Sequence, residues 1–213
     1  MPYNLTIQHG LDLTDPRAIN WPARQRDAVV PFNVANGIPL NPVEPHLPEG
    51  RNGLGHWGEG VAVDPIVFMR DTHGNVRLLM IERDDDNGWA FPGGGIDPSD
   101  SIGSGDDRNE TAARAMVREL AEETGLVLPT VAFEVHPGRY VPDPRAGRAA
   151  WMVTVPGVAV LHTDTPPAVT GRSDARRALW LPSGSYTELA DAIAALGGRV
   201  FSAHVGLVHD LLA

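Results

Sequence analysis

The chain of 213 residues contains 42% hydrophobic and 21% charged residues, which is typical of a soluble globular protein with one domain, or one domain and an extension. Its net charge of −10 argues against non-specific binding to nucleic acid or to an anionic membrane, because both need basic surfaces. The lack of cysteine excludes disulfides and thiolate sites, and no segment resembles a signal peptide or an apolar membrane span of about 20 residues, so we expect a cytoplasmic protein.

The first 56 residues are rich in proline, asparagine and glycine and hold only short apolar runs such as Val29-Val30. This composition is too polar and too interrupted for a domain of its own. We therefore predict an N-terminal extension over 1–56, with one or two short strands, that packs on a main domain over 57–213 or on a partner subunit. The stretch 41–58 is predicted to be a loop, which either crosses the surface or closes over a ligand.

Two apolar runs separated by a turn predict a β-hairpin, with strands at 65–70 and 77–83. The polar run at 84–88 follows this hairpin. It lacks the spacing and the closing glutamate of an EF-hand calcium loop, so we predict a solvated turn. Residues 89–98 then have the pattern of a strand end that runs into a glycine-rich turn.

Residues 110–126 have the period of an amphipathic helix, around which the rest of the chain is organised. The apolar stripe of this helix consists of Ala113, Met116, Val117 and Leu120. Gly125 is typical of a left-handed residue that ends a helix. At the other end, Asp107 and Glu110 have the spacing of a capping box, and Asn109 is the alternative cap.

Three glutamates, Glu119, Glu122 and Glu123, share a different face of this helix. Like charges at this spacing repel by roughly 0.2–0.5 kcal/mol per pair, and the helix dipole disfavours anions near the C-terminus by about 0.3–1 kcal/mol each. Arg118 offsets only part of the repulsion. A solvated helix face is the simplest interpretation of three acids alone. The glycine-rich turn before the helix instead favours a Mg²⁺ site, because Mg²⁺ binds carboxylate oxygens and commonly bridges to phosphates.

Downstream of the helix, the predicted strands lie at 131–140, 151–161 and 175–182, and the predicted helices at 186–196 and 201–212. Pro137-Gly138 predicts a turn in the first of these strands, and Pro156-Gly157 a bulge or kink in the second. Ser202 is the expected cap of the last helix. Strands on either side of a central helix, followed by two terminal helices, predict an α/β fold with helix, sheet and helix layers.

The segment from the glycine-rich turn to Leu126 resembles the signature of the Nudix hydrolases. That signature is a glycine, five residues, glutamate, seven residues, Arg-Glu, an aliphatic residue, any residue, Glu-Glu, any residue, glycine and an aliphatic residue. The matching positions are Glu110, Arg118, Glu119, Leu120, Glu122, Glu123, Gly125 and Leu126. Fifteen residues, rather than five, separate Gly94 from Glu110. The excess, around 99–109, predicts a polar insertion, which a surface loop tolerates at little cost.

This resemblance implies an α/β/α sandwich with a mixed β-sheet, and Mg²⁺-dependent hydrolysis of a nucleoside diphosphate linked to another group, with Mn²⁺ as a substitute ion. The segments 50–67, 141–152 and 201–208 are similar to those of the mitochondrial-type ADP-ribose pyrophosphatases. They are also similar to the related domain of the ADP-ribose-gated cation channel. The closer resemblance implies ADP-ribose as the substrate, with AMP and ribose 5-phosphate as the products.

The resemblance also implies roles for particular residues. The implied catalytic residues are Arg118, Glu119, Glu122 and Glu123. The implied metal site consists of Glu119, Glu122, Glu123 and Gly94, lined by the backbone of the turn at Gly93. The implied substrate-binding residues are Trp57, Gly94, Gly95, Asp143, Arg145, Arg148 and His204. Arg118 is expected to orient the carboxylates, chiefly Glu122, and Glu119 and Asp143 both remain candidates for the general base.

Each candidate outside the helix also has a structural interpretation. Asp143 either contacts substrate or caps a turn, because Asp-Pro commonly starts one. Arg145 and Arg148 either bind substrate or are simply solvated. Trp57 either stacks on the adenine or belongs to the core, and His204 either lies near the ribose end or is a structural histidine among apolar neighbours.

Three functions fit this sequence. The first is an ADP-ribose hydrolase, and the second is a Nudix hydrolase for NADH, a dinucleoside polyphosphate or a nucleotide sugar. The third is a non-catalytic module that binds ADP-ribose, which is disfavoured because Arg118-Glu119 and Glu122-Glu123 are all present. We expect a small-molecule partner, neither nucleic acid nor membrane, and a monomer or a homodimer.

Overall fold

The computed structural model describes residues 15–100 and 107–213. The predicted insertion at 99–109 therefore lies largely outside the described residues, as do residues 1–14. Within the described part, no helix is both long enough and apolar enough to cross a membrane.

In the described chain, six strands follow the first α-helix, four strands follow the second, and two helices end the chain. The α-helices are α1 (Trp21–Asp27), α2 (Arg108–Thr124), α3 (Tyr186–Ala195) and α4 (Val205–Leu211). Short 3₁₀ turns lie at Pro16–Ala18, Pro98–Asp100, Thr130–Ala132 and Ser202–His204. The strands are β1 (Asn33–Ala35), β2 (Ile38–Leu40), β3 (Gly58–Arg70), β4 (Val76–Arg83), β5 (Trp89–Ala90), β6 (Gly94–Gly95), β7 (Glu134–Val135), β8 (Arg139–Val141), β9 (Ala150–His162) and β10 (Ala175–Pro182).

The described strands form a two-stranded sheet of β1 and β2 and a sheet of eight strands. The order in the larger sheet is β10-β4-β3-β9-β7, and β5, β6 and β8 pair with β4, β3 and β9 respectively. The fold is therefore mixed α/β with one large sheet, and the predicted fold class is confirmed. The predicted hairpin is confirmed as well, since β3 and β4 pair antiparallel with Phe68 opposite Leu78.

The chain divides into two compact units, and the division cuts through β3, α2 and β9. The described part of the first unit comprises 15–63, 95–100, 107–115 and 137–155. The second unit comprises Asp64–Gly94, Met116–His136 and Pro156–Ala213.

The first unit has an aromatic core built largely from the N-terminal segment. Trp21 of α1 packs edge-on against Phe32, with ring centroids 6.1 Å apart, and Phe32 packs against Trp151 of β9 at 5.1 Å. The Trp21 indole N–H donates to the carbonyl of Gly37 at 2.8 Å. A buried carboxylate also holds this segment, because Glu59 of β3 accepts the backbone N–H groups of Val29 and Val30 at 2.7 and 2.9 Å.

The second unit buries both faces of its sheet. One face contributes Ile66, Phe68, Leu78 and Met80 to a cluster that also contains Leu189 and Ile193 of α3 and Leu207 and Val208 of α4. The alternate strand residues Val67, Met69, Leu79 and Ile81 are equally buried, and they point to the other face because successive side chains in a strand alternate. Strands that are apolar on both faces are typical of a sheet with a layer on each side.

Two predicted elements differ from the structure, and one helix of the structure has no counterpart among the predictions. The strand predicted over 131–140 starts instead with a 3₁₀ turn at Thr130–Ala132, and only then forms β7 and β8 on either side of Pro137-Gly138. Val131 is 90% exposed, so its β-branched side chain is not packed in a sheet. The last helix begins as a 3₁₀ turn before α4, and helix α1 was not predicted at all.

Candidate active site

Helix α2 forms where its sequence signals lie. Asp107 precedes its first residue and accepts the N–H of Asn109 at 3.3 Å, so Asp107 is the cap and Asn109 lies inside the helix. At the other end Gly125 has a φ of 73°, which L-residues with a Cβ rarely adopt. Its N–H donates to the carbonyl of Ala121 at 3.0 Å. The predicted helix and its glycine stop are therefore confirmed.

The apolar stripe of α2 is buried, and this fixes which face carries the glutamates. Ala113, Met116 and Leu120 are buried, and Val117 is half-buried. Met116 approaches β9 so closely that a Cβ at Gly157 would collide with its sulfur. The glycine at this position of β9 therefore permits the close packing of the helix on the strand.

The three glutamates of α2 have different surroundings. Arg118 pairs with Glu119 at 2.8 Å and with Glu122 at 3.3 Å, and the Glu122 side chain is 53% exposed. The side chain of Glu119 is largely buried, with 12% exposed. Glu123 is buried and accepts the N–H of Gly93 at 2.7 Å. Arg118 thus contacts both neighbouring carboxylates, and its shorter contact is with Glu119 rather than with Glu122.

Glu123 is electrostatically unusual for a surface helix. The pKa of Glu123 is raised to about 8, chiefly by burial and also by the nearby charges of Glu119 and Asp174, against the lowering effects of the Gly93 N–H and of Arg83. The raised pKa means that the positive charge near Glu123 is too small to stabilise its ionised form beside the carboxylate of Glu119. The donor chemistry at Glu119 and Glu123 therefore fits a hard divalent cation.

The glycine-rich turn lies directly against these carboxylates. A Cβ at Gly94 would stand 2.7 Å from Glu119 Oε1, so only glycine lets the turn approach the helix this closely. Within the described residues, no three His, Cys, Asp or Glu side chains converge into a ready-made metal cluster. The arrangement is a pair, Glu119 and Glu123, beside the turn, with Glu122 directed to Arg118.

His204 is buried in the same unit, at the end of the 3₁₀ turn that precedes α4. Its Nδ1 accepts the backbone N–H of Phe91 at 3.2 Å, and its Nε2 lies 3.5 Å from Asp64 Oδ1. The His204 ring stacks on Phe91, with centroids 5.2 Å apart. The position of His204 among aromatic rings matches its structural interpretation. Its contact with Phe91, two residues before Gly93, links it to the glycine-rich turn.

The remaining candidates belong to the first unit. Asp143 is buried, and its carboxylate accepts the backbone N–H of Arg145 at 2.8 Å. The same carboxylate accepts two hydrogen bonds from the Arg145 guanidinium, at 2.9 and 2.6 Å. Trp57 is half-buried, with the guanidinium of Arg51 5.1 Å above its ring. Arg148 pairs with the exposed Glu49 at 3.0 Å and donates to the carbonyl of Pro45.

The loop at 50–55 packs on the loop that carries Asp143 and Arg145. The N–H of Gly53 donates to the carbonyl of Arg145 at 2.9 Å, and the Asn52 side chain donates to the carbonyl of Ala146 at 3.0 Å. A Cβ at Gly53 would stand 3.1 Å from the Cβ of Arg145. These contacts bring together two of the segments on which the closer family resemblance rests.

The comparison with protein families agrees with this geometry. A family model described as the NUDIX domain matches residues 60–199, which is more than half of the chain. The chain belongs to the Nudix family. The matched region contains α2 and the glycine-rich turn with Gly93 and Gly94.

Three curated relatives are similar to this Nudix chain. A Caenorhabditis elegans protein named as a nudix hydrolase is 38% identical over 117 residues, which are 55% of this chain and 44% of the relative. The mitochondrial ADP-ribose pyrophosphatase of Rattus norvegicus is 31% identical over 144 residues, covering 58% and 41%. A transient receptor potential cation channel, subfamily M member-like 2, of Nematostella vectensis is 32% identical over 141 residues, covering 58% and 9%. The chain thus spans less than half of each relative.

Two solved structures share the fold of this Nudix chain. The NUDIX domain of Shewanella oneidensis NrtR, complexed with ADP ribose, has a TM-score of 0.52 and 22% identity over 72% of this chain and 86% of its own. A bifunctional NMN adenylyltransferase/ADP ribose pyrophosphatase of Francisella tularensis, complexed with AMP and a Mn ion, has a TM-score of 0.50 and 22% identity, covering 73% and 42%. At this level of identity the two structures establish the fold alone.

Sequence reasoning missed two residues that lie near this candidate site. Asp64 is an acid within the apolar run 61–69 of β3, and Arg83 at the end of β4 faces the charge of Glu123. An isolated acid within an apolar run is a usable signal, because an unpaired buried charge is costly. The signal for Arg83 is weaker, since an arginine at the end of a strand is common on any surface.

Proposed function

We propose that this Nudix chain is a metal-dependent hydrolase that cleaves the diphosphate linkage of ADP-ribose to AMP and ribose 5-phosphate. The observation that carries the proposal is the placement of the buried Glu123 and the largely buried Glu119 against the glycine-rich turn. The similarity to an ADP-ribose pyrophosphatase supports the choice of substrate.

The proposed chemistry assigns a task to each group. A bound Mg²⁺, or Mn²⁺ in its place, would polarise a phosphoryl oxygen, neutralise developing charge and lower the pKa of a bound water. Glu119 and Glu123 would hold the ion, with Glu122 as a further ligand on the exposed side. Arg118 keeps the Glu119 carboxylate oriented through its contact at 2.8 Å. The N–H of Gly93 donates to the Glu123 carboxylate and so fixes its position.

Positioning supplies much of the rate in such reactions, because aligned groups avoid the entropic cost of meeting. The packing of α2 on β9 and the hydrogen bond from Gly93 to Glu123 give the site this rigidity. Asp143 would hold Arg145 in a fixed geometry for an anionic substrate, since it binds the guanidinium through two contacts.

A second candidate function is a non-catalytic module that binds ADP-ribose. The similarity to a transient receptor potential channel favours this alternative. The two functions differ in one measurable respect, because a binding module would hold ADP-ribose without releasing AMP.

The proposal is tested by product analysis with Mg²⁺ over a panel of ADP-ribose, NADH, a dinucleoside polyphosphate and a nucleotide sugar. We expect AMP and ribose 5-phosphate from ADP-ribose, and a loss of orders of magnitude in kcat for Glu119→Gln, with little change in stability because crowding of anions is relieved. Faster cleavage of another member of the panel would assign a different Nudix substrate. Tight ADP-ribose binding without products would support the binding module, and near-normal activity of Glu119→Gln would refute the metal role.

A further inference from the structure

We propose that His204 is a positioning residue, which accepts the N–H of Phe91 at Nδ1 and thereby holds the Gly93-Gly94 turn against the carboxylates of α2. This inference rests on the proposed function for its activity readout only. The contacts on which it depends lie entirely within the second unit.

The N–H of Phe91 is the last backbone donor before the turn. Trp89 donates its N–H to the carbonyl of Arg199 at 2.8 Å, and Ala90 pairs with Ile81 of β4. Pro92 has no N–H to donate. Between Ala90 and Gly93 the chain therefore has a single backbone donor, and that donor is bound by the imidazole of His204 rather than by a neighbouring strand.

The turn begins two residues beyond this contact. Gly93 donates its N–H to Glu123 Oε2 at 2.7 Å, and the α-carbon of Gly94 lies against the Glu119 carboxylate. A displacement of Phe91 would be transmitted through the rigid ring of Pro92, whose φ is fixed. Release of the Phe91 N–H would therefore loosen both contacts between the turn and the glutamates.

The position of the His204 ring is set from several sides. The segment that precedes it is anchored to β5, because Phe201 donates its N–H to the carbonyl of Trp89 at 2.7 Å. The His204 N–H donates to the carbonyl of Phe201 at 2.9 Å, and the two rings meet edge-to-face with centroids 5.2 Å apart. Stacking on Phe91 covers the imidazole as well. Rotation of the ring away from the Phe91 N–H would break these contacts.

Asp64 selects the form of the imidazole that can accept this hydrogen bond. Because Nδ1 accepts from Phe91, the hydrogen of the neutral ring resides on Nε2. Nε2 faces Asp64 Oδ1 at 3.5 Å, and Asp64 is 5% exposed, with its Oδ2 buried and without a hydrogen-bond partner. An incompletely satisfied buried carboxylate is costly. Its retention here is explained by the tautomer that it enforces on His204.

Two substitutions of His204 separate this role from direct contact with substrate. Asparagine places its amide oxygen near the position of Nδ1, whereas the longer glutamine places its amide group near the position of Nε2. We expect His204→Asn to retain kcat within about threefold and His204→Gln to lose about 10- to 100-fold in kcat, with KM within about threefold in both. If His204 instead contacts substrate through Nε2, the glutamine variant would be the more active one and KM would change, which would overturn the proposal.

A second readout is independent of any substrate. Amide hydrogen exchange measured by NMR reports whether the N–H of Phe91 is held. We expect slow exchange in the wild type and in His204→Asn, and exchange at least about tenfold faster in His204→Gln, with Gly93 following Phe91. Unchanged exchange in His204→Gln would overturn the positioning role even if the enzyme is active. If the wild type cleaves no substrate, the proposed function fails while the exchange rates still decide the role of His204.

The wild-type protein provides a test that needs no variant to fold. Nitrogen-15 shifts of labelled histidine distinguish the two neutral tautomers, and we expect the hydrogen of His204 on Nε2 at a pH where the ring is neutral. A hydrogen on Nδ1 would contradict the proposal directly, because that nitrogen could not then accept from Phe91. Asp64→Leu, which removes the carboxylate from the buried site, is expected to abolish this tautomer preference and to speed exchange at Phe91.

Discussion

The carboxylate of Glu119 lies against the α-carbon of Gly94, so that a Cβ on this glycine would stand 2.7 Å from Glu119 Oε1. The same Oε1 of Glu119 accepts a hydrogen bond from the guanidinium of Arg118 at 2.8 Å. Glu119 therefore has little room to move away from an added methyl group. Glycine is therefore needed at this position for the close approach of the turn to the helix, and not only for its backbone flexibility.

Gly94→Ala is expected to lower kcat about 10- to 100-fold, because the methyl group would displace either the turn or the Glu119 carboxylate from its working position. Steady-state kinetics with ADP-ribose and Mg²⁺ measures this change. Gly206→Ala is the matched control, since a Cβ there meets no atom within 4 Å and the residue lies exposed in α4. The control should keep full activity and gain up to about 1 kcal/mol of stability. Equal activity of the two variants would contradict the close-approach argument.

Binding of a divalent cation is expected to release a proton from Glu123. Burial raises the pKa of this carboxyl to about 8, so below pH 8 the protonated form predominates and must ionise before it can bind a metal. The affinity for Mn²⁺ should therefore rise about tenfold per pH unit up to pH 8 and level off above it. Calorimetry in buffers with different ionisation enthalpies counts the released protons.

Glu123→Gln is the control for this proton release. The amide cannot titrate, so the variant should bind Mn²⁺ more weakly, and its affinity should change far less between pH 6 and 8. Wild-type affinity that is independent of pH across this range would show that Glu123 is not a ligand, or that its proton is lost before the metal binds.

The elements that sequence reasoning predicted best depend on local signals. Helix α2 and its end at Gly125 follow from periodicity and from a φ that glycine adopts easily. Helix α1 carried a comparable local signal that was not recognised. Asn20 caps it by accepting the N–H of Ala23 at 3.2 Å, and Pro22 lies in its first turn, where proline is favoured.

The parts of the site that could not be predicted depend on residues far apart in the chain. Asp64 and His204 are separated by most of the second unit's sequence, and they meet only because the segment 199–201 lies beside β5. No local pattern encodes that contact. The strand predicted to start at Val131 was wrong for a different reason. A β-branched residue favours a strand only where its side chain can pack, and the Val131 side chain is 90% exposed.

The buried Glu59 predicts an unusual dependence of stability on pH. Burial raises its pKa to about 7, against the lowering effects of the N–H groups of Val29 and Val30 and of Arg108. The folded state therefore binds the proton more tightly than the unfolded state, in which the pKa is about 4.5. The stability that protonation of Glu59 contributes is complete below pH 4.5 and is lost as the pH rises through 7.

Over this range we expect the free energy of unfolding of the wild type to fall by about 3 kcal/mol relative to that of Glu59→Gln. Glutamine has a similar shape and does not titrate, so any constant effect of the lost hydrogen bond cancels when the two pH profiles are compared. Urea unfolding of both proteins at pH 5, 6, 7 and 8 measures the difference. Parallel profiles would mean that Glu59 has an ordinary pKa in the folded protein.

The contacts between the buried Asp143 and the exposed Arg145 leave two roles for Asp143, either to hold the guanidinium or to act as the general base. If the carboxylate mainly holds the guanidinium for substrate, Asp143→Asn should raise KM for ADP-ribose about tenfold and leave kcat within about threefold, since the charge-assisted contacts at 2.9 and 2.6 Å are weakened. Arg145→Ala should raise KM similarly, and the double variant should be little worse than either single variant, because the two side chains act as one unit. A collapse of kcat in Asp143→Asn with unchanged KM would instead identify Asp143 as the general base.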